Sequence, residues 1–291
     1  MTSAATSSGK IQRAGEVTTN DGVALHYVEA GTGPDLLLVS GWTTTADLWC
    51  YQIEEFSRTH HVIAYDHRGQ GRSGHPPYGY RMARLAADAH QVIETLDLSD
   101  VTLVAHSMGC GVALAYWDLY RDERLGRLVL IDQPPALSSQ PDWPEGTAAQ
   151  MGAPHTAEDL PAFTAALRGP QADAIAAAAL SGMVSEQMPP GERAEVLRQM
   201  SLTRREAASL LMFSSATQDW RDLLSGITVP TLVIGGEASM FSPTAIENLG
   251  AAIPGAVVRI VSAADRGSHL SFLENPSAVN TAIRAFLEQA A

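Results

Sequence analysis

Val101-Thr-Leu-Val-Ala-His-Ser-Met-Gly-Cys-Gly111 is the stretch on which the fold of this 291-residue chain turns. Val101 to Ala105 is a short apolar, β-branched run of the kind that forms a buried strand. Val112 to Tyr120 has the composition of a helix, and Gly109 and Gly111 predict that this helix packs close to the sheet. A serine caught in the corner between strand and helix must project its hydroxyl away from the backbone. The helix N-terminus behind it supplies N–H groups with no intrahelical partner. The competing reading is a serine that caps an ordinary helix.

Composition bounds what such a serine can do. The length fits one large domain, or a core domain carrying an insertion, with ample chain to bury a core. A net charge of −13 and a pI near 5.0 argue against nucleic acid and anionic membranes as partners, and solubility alone accounts for the acidity. The two cysteines, Cys50 and Cys110, read as small buried residues and give no disulfide framework. Met1 to Lys10 is polar and lacks the apolar core of a signal peptide, and Ala174 to Val184, the most apolar stretch, is too short to span a bilayer. The expected location is the cytoplasm.

Strands and helices alternate along the chain, which predicts a parallel α/β sheet. Glu16 to Thr18 and Val23 to Glu29 flank the hairpin signal Asn20-Asp21-Gly22. Strands follow over Asp35 to Ser40 and His61 to Asp66, with a helix around Leu48 to Ser57 between them. A helix over Arg84 to Leu96 then leads into the Val101 strand, and Leu125 to Asp132 is the strand after the serine's helix. From Gln133 to about Leu224 the rhythm breaks into a proline-rich loop and alanine-, leucine- and methionine-rich helices. It resumes with strands Thr231 to Gly235 and Val257 to Val261 and helices Pro243 to Ile253 and Ser277 to Gln289. The division is thus a core over 1–132 and 225–291 with a helical insertion over 133–224. The insertion is expected to cap the C-terminal edge of the sheet, where open α/β sheets bind ligands.

Four segments in this order resemble the α/β-hydrolase superfamily, and the resemblance runs from about Val17 onward. They are Ser40-Gly41-Trp42, Asp66-His-Arg-Gly-Gln-Gly-Arg-Ser73, the corner around Ser107, and Gly267-Ser-His-Leu-Ser-Phe-Leu-Glu-Asn-Pro276. Ala105-His106-Ser107-Met108-Gly109 is then a nucleophile elbow with alanine in place of the usual first glycine. The resemblance implies a serine hydrolase with a helical cap and puts the catalytic histidine at His269, on a Gly/Ser loop after the last strand. A serine hydroxyl needs such a neighbouring base to take its proton.

The acid departs from the commonest family pattern. Where many relatives carry Gly-x-x-Asp after the next-to-last strand, this chain reads Gly236-Glu237-Ala238-Ser239, and a serine cannot stabilise an imidazolium. Asp132, at the end of the strand after the elbow helix, is the expected acid, with Glu237 as the alternative and Asp265 behind it. Branches of the superfamily that place their acid there include some haloalkane dehalogenases, zearalenone-type lactonases and cofactor-free quinolone dioxygenases. The oxyanion donors expected are the backbone N–H groups of Met108 and Trp42. A substrate pocket is expected from Trp42, Trp143, Met183, Met212 and Phe213, although at helical spacing the cap residues serve equally as core.

Gly69-Gln-Gly-Arg-Ser-Gly74 matches a dinucleotide fingerprint, but His75-Pro-Pro-Tyr-Gly79 follows where a helix would have to begin. No His-Glu-x-x-His or Cys/His spacing points to a metal, and no cofactor is expected. The expected activity is cleavage of a small-molecule carboxylic ester or lactone through an acyl-enzyme on Ser107. The alternatives are a cofactor-independent dioxygenase, a perhydrolase or haloperoxidase-like enzyme with the same residues, and a non-catalytic ligand receptor.

Overall fold

The computed structural model describes residues 13–289; the polar Met1 to Lys10 segment lies outside them. The main sheet has eight strands, β1 (Arg13–Thr18), β2 (Ala24–Ala30), β3 (Asp35–Val39), β4 (His61–Tyr65), β5 (Val101–His106), β6 (Leu125–Ile131), β7 (Thr231–Gly236) and β8 (Val257–Val261). Their spatial order is β1-β2-β4-β3-β5-β6-β7-β8, with β1 and β2 antiparallel to their neighbours and all other pairs parallel. The chain is thus an α/β protein with a mostly parallel sheet. The central strands are apolar on both faces because helices cover both, as a parallel sheet requires.

The helices are α1 (Cys50–Phe56), α2 (Met82–Thr95), α3 (Met108–Tyr120), α4 (Thr147–Met151), α5 (Asp159–Ala166), α6 (Ala172–Met183), α7 (Pro190–Met200), α8 (Arg205–Ala216), α9 (Arg221–Leu224), α10 (Pro243–Ala252), α11 (Ser271–Glu274) and α12 (Pro276–Gln289). Helices α4 to α9 all fall between β6 and β7. The strand-like pieces in that span, among the described residues, are a two-residue parallel pair, Ser138–Ser139 with His155–Thr156, and a bridge from Ala136 to Asp219. No helix is long and apolar enough to cross a membrane among the described residues.

Local chemistry explains the turns that matter. The hairpin between β1 and β2 closes through Gly22 at φ +82° and a Thr19 N–H to Val23 carbonyl bond of 2.9 Å. After β4, Asp66 is buried and its carboxylate accepts the N–H groups of Ala46 and Arg72, both at 2.8 Å. Arg68, also buried, bridges Asp21 and Asp88. The Gly69 to Gly74 segment is a tight turn closed by Gly69 N–H on the Gly74 carbonyl, with no helix following it.

Three sequence expectations shift. Helix α3 begins at Met108, immediately after the serine, rather than at Val112. Of its two glycines only Gly109 faces the sheet, since a Cβ there would stand 2.5 Å from the Val39 carbonyl oxygen. At Gly111 the nearest atoms are ordinary contacts with the Met82 and Trp220 side chains, on the side toward α2. Cys50 is half-buried rather than buried. Gly109→Ala is expected to push α3 off β3 and lower stability by about 1–3 kcal/mol, the usual cost of overpacking, as read by urea unfolding. Gly111→Ala, with room for its methyl, should cost less.

Candidate active site

Three neighbouring strand ends build the site. His106 of β5 and Ile131 of β6 are register partners, so Ser107 and Asp132 are each one residue beyond a paired position. The Ser107 N–H continues the ladder onto the Ile131 carbonyl at 2.9 Å, and the Asp132 N–H reaches Ile234 of β7 at 2.8 Å. Both residues then turn away through left-handed backbone, Ser107 at φ 52° and Asp132 at φ 55°. Such conformations cost on the order of 1–3 kcal/mol at a residue with a side chain and survive only where the surroundings over-determine them.

The His269 loop crosses the end of β7. It can do so because glycine meets glycine: a Cβ on Gly236 would stand 2.1 Å from the Gly267 carbonyl oxygen. His269 is buried, with its Nε2 2.9 Å from Ser107 Oγ and its Nδ1 2.6 Å from Asp132 Oδ2. A carboxylate accepts only, so Nδ1 carries the proton and Nε2 is left to accept from the serine hydroxyl. Asp132 also accepts the Gly236 N–H at 3.2 Å and the Ser239 hydroxyl, while Ser239 Oγ accepts the Phe241 N–H at 3.1 Å.

The other carboxylates lie elsewhere. Glu237 is exposed and accepts the Ala263 N–H at 2.8 Å, and Asp265 is exposed and bonded to the Ser262 hydroxyl at 2.8 Å. The N–H groups of Trp42 and Met108 find no acceptor among the described residues, and both residues line a cavity of about 50 Å³ beside Ser107 and His269. Two unpaired N–H groups next to a serine that faces an imidazole can hold a developing oxyanion.

Sequence reasoning left out the layer beneath. His106 donates from Nε2 to the His269 carbonyl at 2.8 Å, and its ring lies 4.7 Å from that of His269. His67 donates from Nε2 to the Ser40 carbonyl at 2.9 Å, and Trp49 Nε1 donates to Ser40 Oγ at 3.1 Å. Burial holds both imidazoles in the neutral form. It pushes His67 down to about 4 and His106 well below its ordinary range, with the neighbouring His269 lowering His106 further. Each histidine thus fixes the carbonyl of a loop that carries site residues.

The structure brings together three of the five residues expected at a pocket. Trp42, Met183 and Met212 line the cavity, joined by Gln133, His155 and Phe241, for which no sequence pattern speaks. Phe213 is 42% exposed, because one residue along α8 rotates the side chain about 100° from Met212 toward solvent. Trp143 lies instead under the Arg221 guanidinium, 4.4 Å from its ring centroid.

A sequence model of the alpha/beta hydrolase fold matches residues 34–276. A Synechocystis sp. protein whose name places it with the non-heme chloroperoxidases is 29% identical over 80% of this chain and 83% of its own length. A non-heme haloperoxidase from Rhodococcus erythropolis is 36% identical over 46% of this chain, and the match spans half of that protein's length. The solved structure of a thermophilic esterase from Thermogutta terrifontis superposes with a TM-score of 0.80 at 26% identity, covering 96% of this chain and 99% of that one. A bifunctional esterase/perhydrolase from Acinetobacter calcoaceticus is 34% identical over 44% of this chain, and an esterase from Exiguobacterium antarcticum and an enol-lactonase from Burkholderia xenovorans share the fold with TM-scores of 0.84 and 0.80.

The buried histidines make acid stability a test of this layer. As pH falls below 6.5 the unfolded chain takes up a proton that folded His67 refuses until about pH 4. Stability is therefore lost on acidification, by about 1.4 kcal/mol per pH unit and about 3 kcal/mol across the window. Urea unfolding between pH 7 and 4 should show His67→Phe losing less stability than the wild type. Parallel curves would show that His67 is not the group responsible.

Proposed function

The chain belongs to the α/β-hydrolase fold family, and from that premise we propose that it is a serine hydrolase that cleaves a small carboxylic ester or lactone. The observation that carries this reading is the continuous relay from Ser107 Oγ through His269 to Asp132, facing the unpaired N–H groups of Trp42 and Met108. His269 Nε2 takes the serine proton as Oγ adds to the carbonyl carbon. The negative charge that develops on the carbonyl oxygen is held by the two N–H groups. His269 then gives the proton to the leaving alcohol, activates a water, and returns that water's proton to Ser107 as the acid departs. Asp132 keeps the imidazole in the required tautomer and supports its positive charge without taking the proton. Residues 133–224 act as the cap that walls the cavity. No step requires a metal or an organic cofactor.

A second reading is favoured by the haloperoxidase names among the relatives: hydrogen peroxide replaces water as the acceptor and the acyl group leaves as a peracid. The cavity beside Ser107 suits small acceptors, since about 50 Å³ holds only a few waters at about 10–15 Å³ each. Both readings share the acyl-enzyme on Ser107.

Intact-mass labelling with a small fluorophosphonate tests that shared step. One adduct is expected on wild type and none on Ser107→Ala, with labelling of His269→Ala strongly slowed. A folded wild type that takes no adduct would overturn the reading. With p-nitrophenyl acetate, Asp132→Asn is expected to lower kcat by about 10³–10⁴-fold, the scale of losing the correct tautomer, while Glu237→Gln stays near wild type. Ser239→Ala, which removes one bond to the acid, should cost about tenfold.

A further inference from the structure

The cavity at Ser107 is too small for most of an ester, and a larger one lies beside it. This chamber has a volume of about 440 Å³, within the usual range for small-molecule sites. Apart from Trp42 and Thr43, its walls come from the insertion, with Ala172 and Ala176 on α6, Leu197 and Met200 on α7, and Ala208 on α8. The run Ala172-Asp-Ala-Ile-Ala-Ala-Ala-Ala-Leu180 accounts for the void, since alanine methyls leave the space between α6 and its neighbours unfilled. Charge is confined to the solvent side, where Arg205 pairs with Asp173 through both carboxylate oxygens at 3.0 Å. Thr203, buried to 8% exposure, is also in the lining, and its hydroxyl has no partner among the described residues.

One residue belongs to both spaces. Trp42 lines the small cavity and the chamber, and its indole Nε1 donates to the Ala208 carbonyl at 2.8 Å. Ala208 and Met212, one helical turn apart on α8, line the chamber and the small cavity respectively. Trp42 is thus shared by the two spaces, and its indole is tied to the insertion by that hydrogen bond.

We propose that the chamber is a second subsite of this active site, taking the uncharged aliphatic part of the substrate's acyl group, with Trp42 as the partition that grades how long a chain can reach Ser107. The inference rests on the acyl-transfer reading for its kinetic consequence, but not for binding. The α6, α7 and α8 walls are mostly apolar, the hydroxyls of Thr43, Ser201 and Thr203 carry no charge, and the charged pair at the edge is already satisfied, so the chamber favours alkyl chains over charged groups.

Two independent measurements test it. The first is the ratio of kcat/KM for p-nitrophenyl octanoate to that for the acetate. Trp42→Ala is expected to raise the ratio at least about tenfold, and Ala176→Phe or the milder Ala176→Leu to lower it by about tenfold or less according to size. The Trp42→Ala/Ala176→Phe double variant should lose the gain. Ratios within about twofold of wild type in Trp42→Ala and both Ala176 variants overturn the proposal. The second is calorimetric titration with octanamide, which needs no catalysis. Binding that weakens at least about tenfold in Ala176→Phe supports the chamber, and equal binding in the two proteins, or none in wild type, overturns it. If no ester is turned over by any variant, the hydrolase reading fails while the octanamide titration still decides the subsite.

Discussion

The carboxylate of Asp132 is the junction on which the rest of the site depends. It is fully buried, and it takes three donors from two separate parts of the chain: the His269 ring from one, and from the other the Gly236 N–H at the end of β7 and the Ser239 hydroxyl three residues beyond it. Desolvating a carboxylate is costly unless its oxygens are hydrogen-bonded, so these donors are what make its position tenable. They also fix geometry. Because β6 lies between β5 and β7, the acid stands between Ser107 on one side and the glycine end of β7 on the other. The His269 loop reaches it by crossing β7 where Gly236 and Gly267 touch.

The layer below is uncharged, and the reason is electrostatic. His67 and His106 each give one N–H to a loop carbonyl and leave Nδ1 without a partner among the described residues. A lysine or arginine could donate the same bonds, but it would put a fixed positive charge beside the His269 imidazole, which in the proposed mechanism itself becomes positive. His106, with its ring 4.7 Å from that of His269, would oppose that charge directly if protonated. Burial removes the difficulty by holding it neutral. The unpaired Nδ1 atoms are the cost of having rigid, neutral donors in that position.

How much of this was legible in the sequence follows from how local each signal is. The Ser107 corner shows in the residues themselves, because strand, turn and helix succeed one another within eleven positions. The acid was legible only as a choice, since Asp132 and Glu237 end adjacent strands and no periodicity says which one faces the histidine. Ser239 looked like a missing aspartate, whereas its hydroxyl serves the aspartate of the neighbouring strand. His106 and His67 were invisible as a pair because their partners, His269 and Ser40, are fixed by folding across 163 and 27 positions. Met212 and Phe213 are adjacent in sequence and similar in character, and only the phase of α8 separates a cavity wall from a solvent-facing ring. The glycines mislead in the same way: Gly109 meets backbone and Gly111 does not.

Trp42 joins the two levels of the molecule. Its backbone N–H belongs to the core loop whose Ser40 carbonyl is held by His67, and its indole is held by Ala208 of the insertion. The unpaired N–H beside Ser107 is therefore fixed from below by the sheet and from above by α8. A change in the insertion that moves Ala208 acts on the partition between the two spaces, and through the same residue on the loop bearing that N–H. Substrate size and the geometry around Ser107 are accordingly not independent in this fold. On the proposed partition, a redesign of the 133–224 segment alone will be felt in both, because one residue, Trp42, lines both spaces and is bonded to α8.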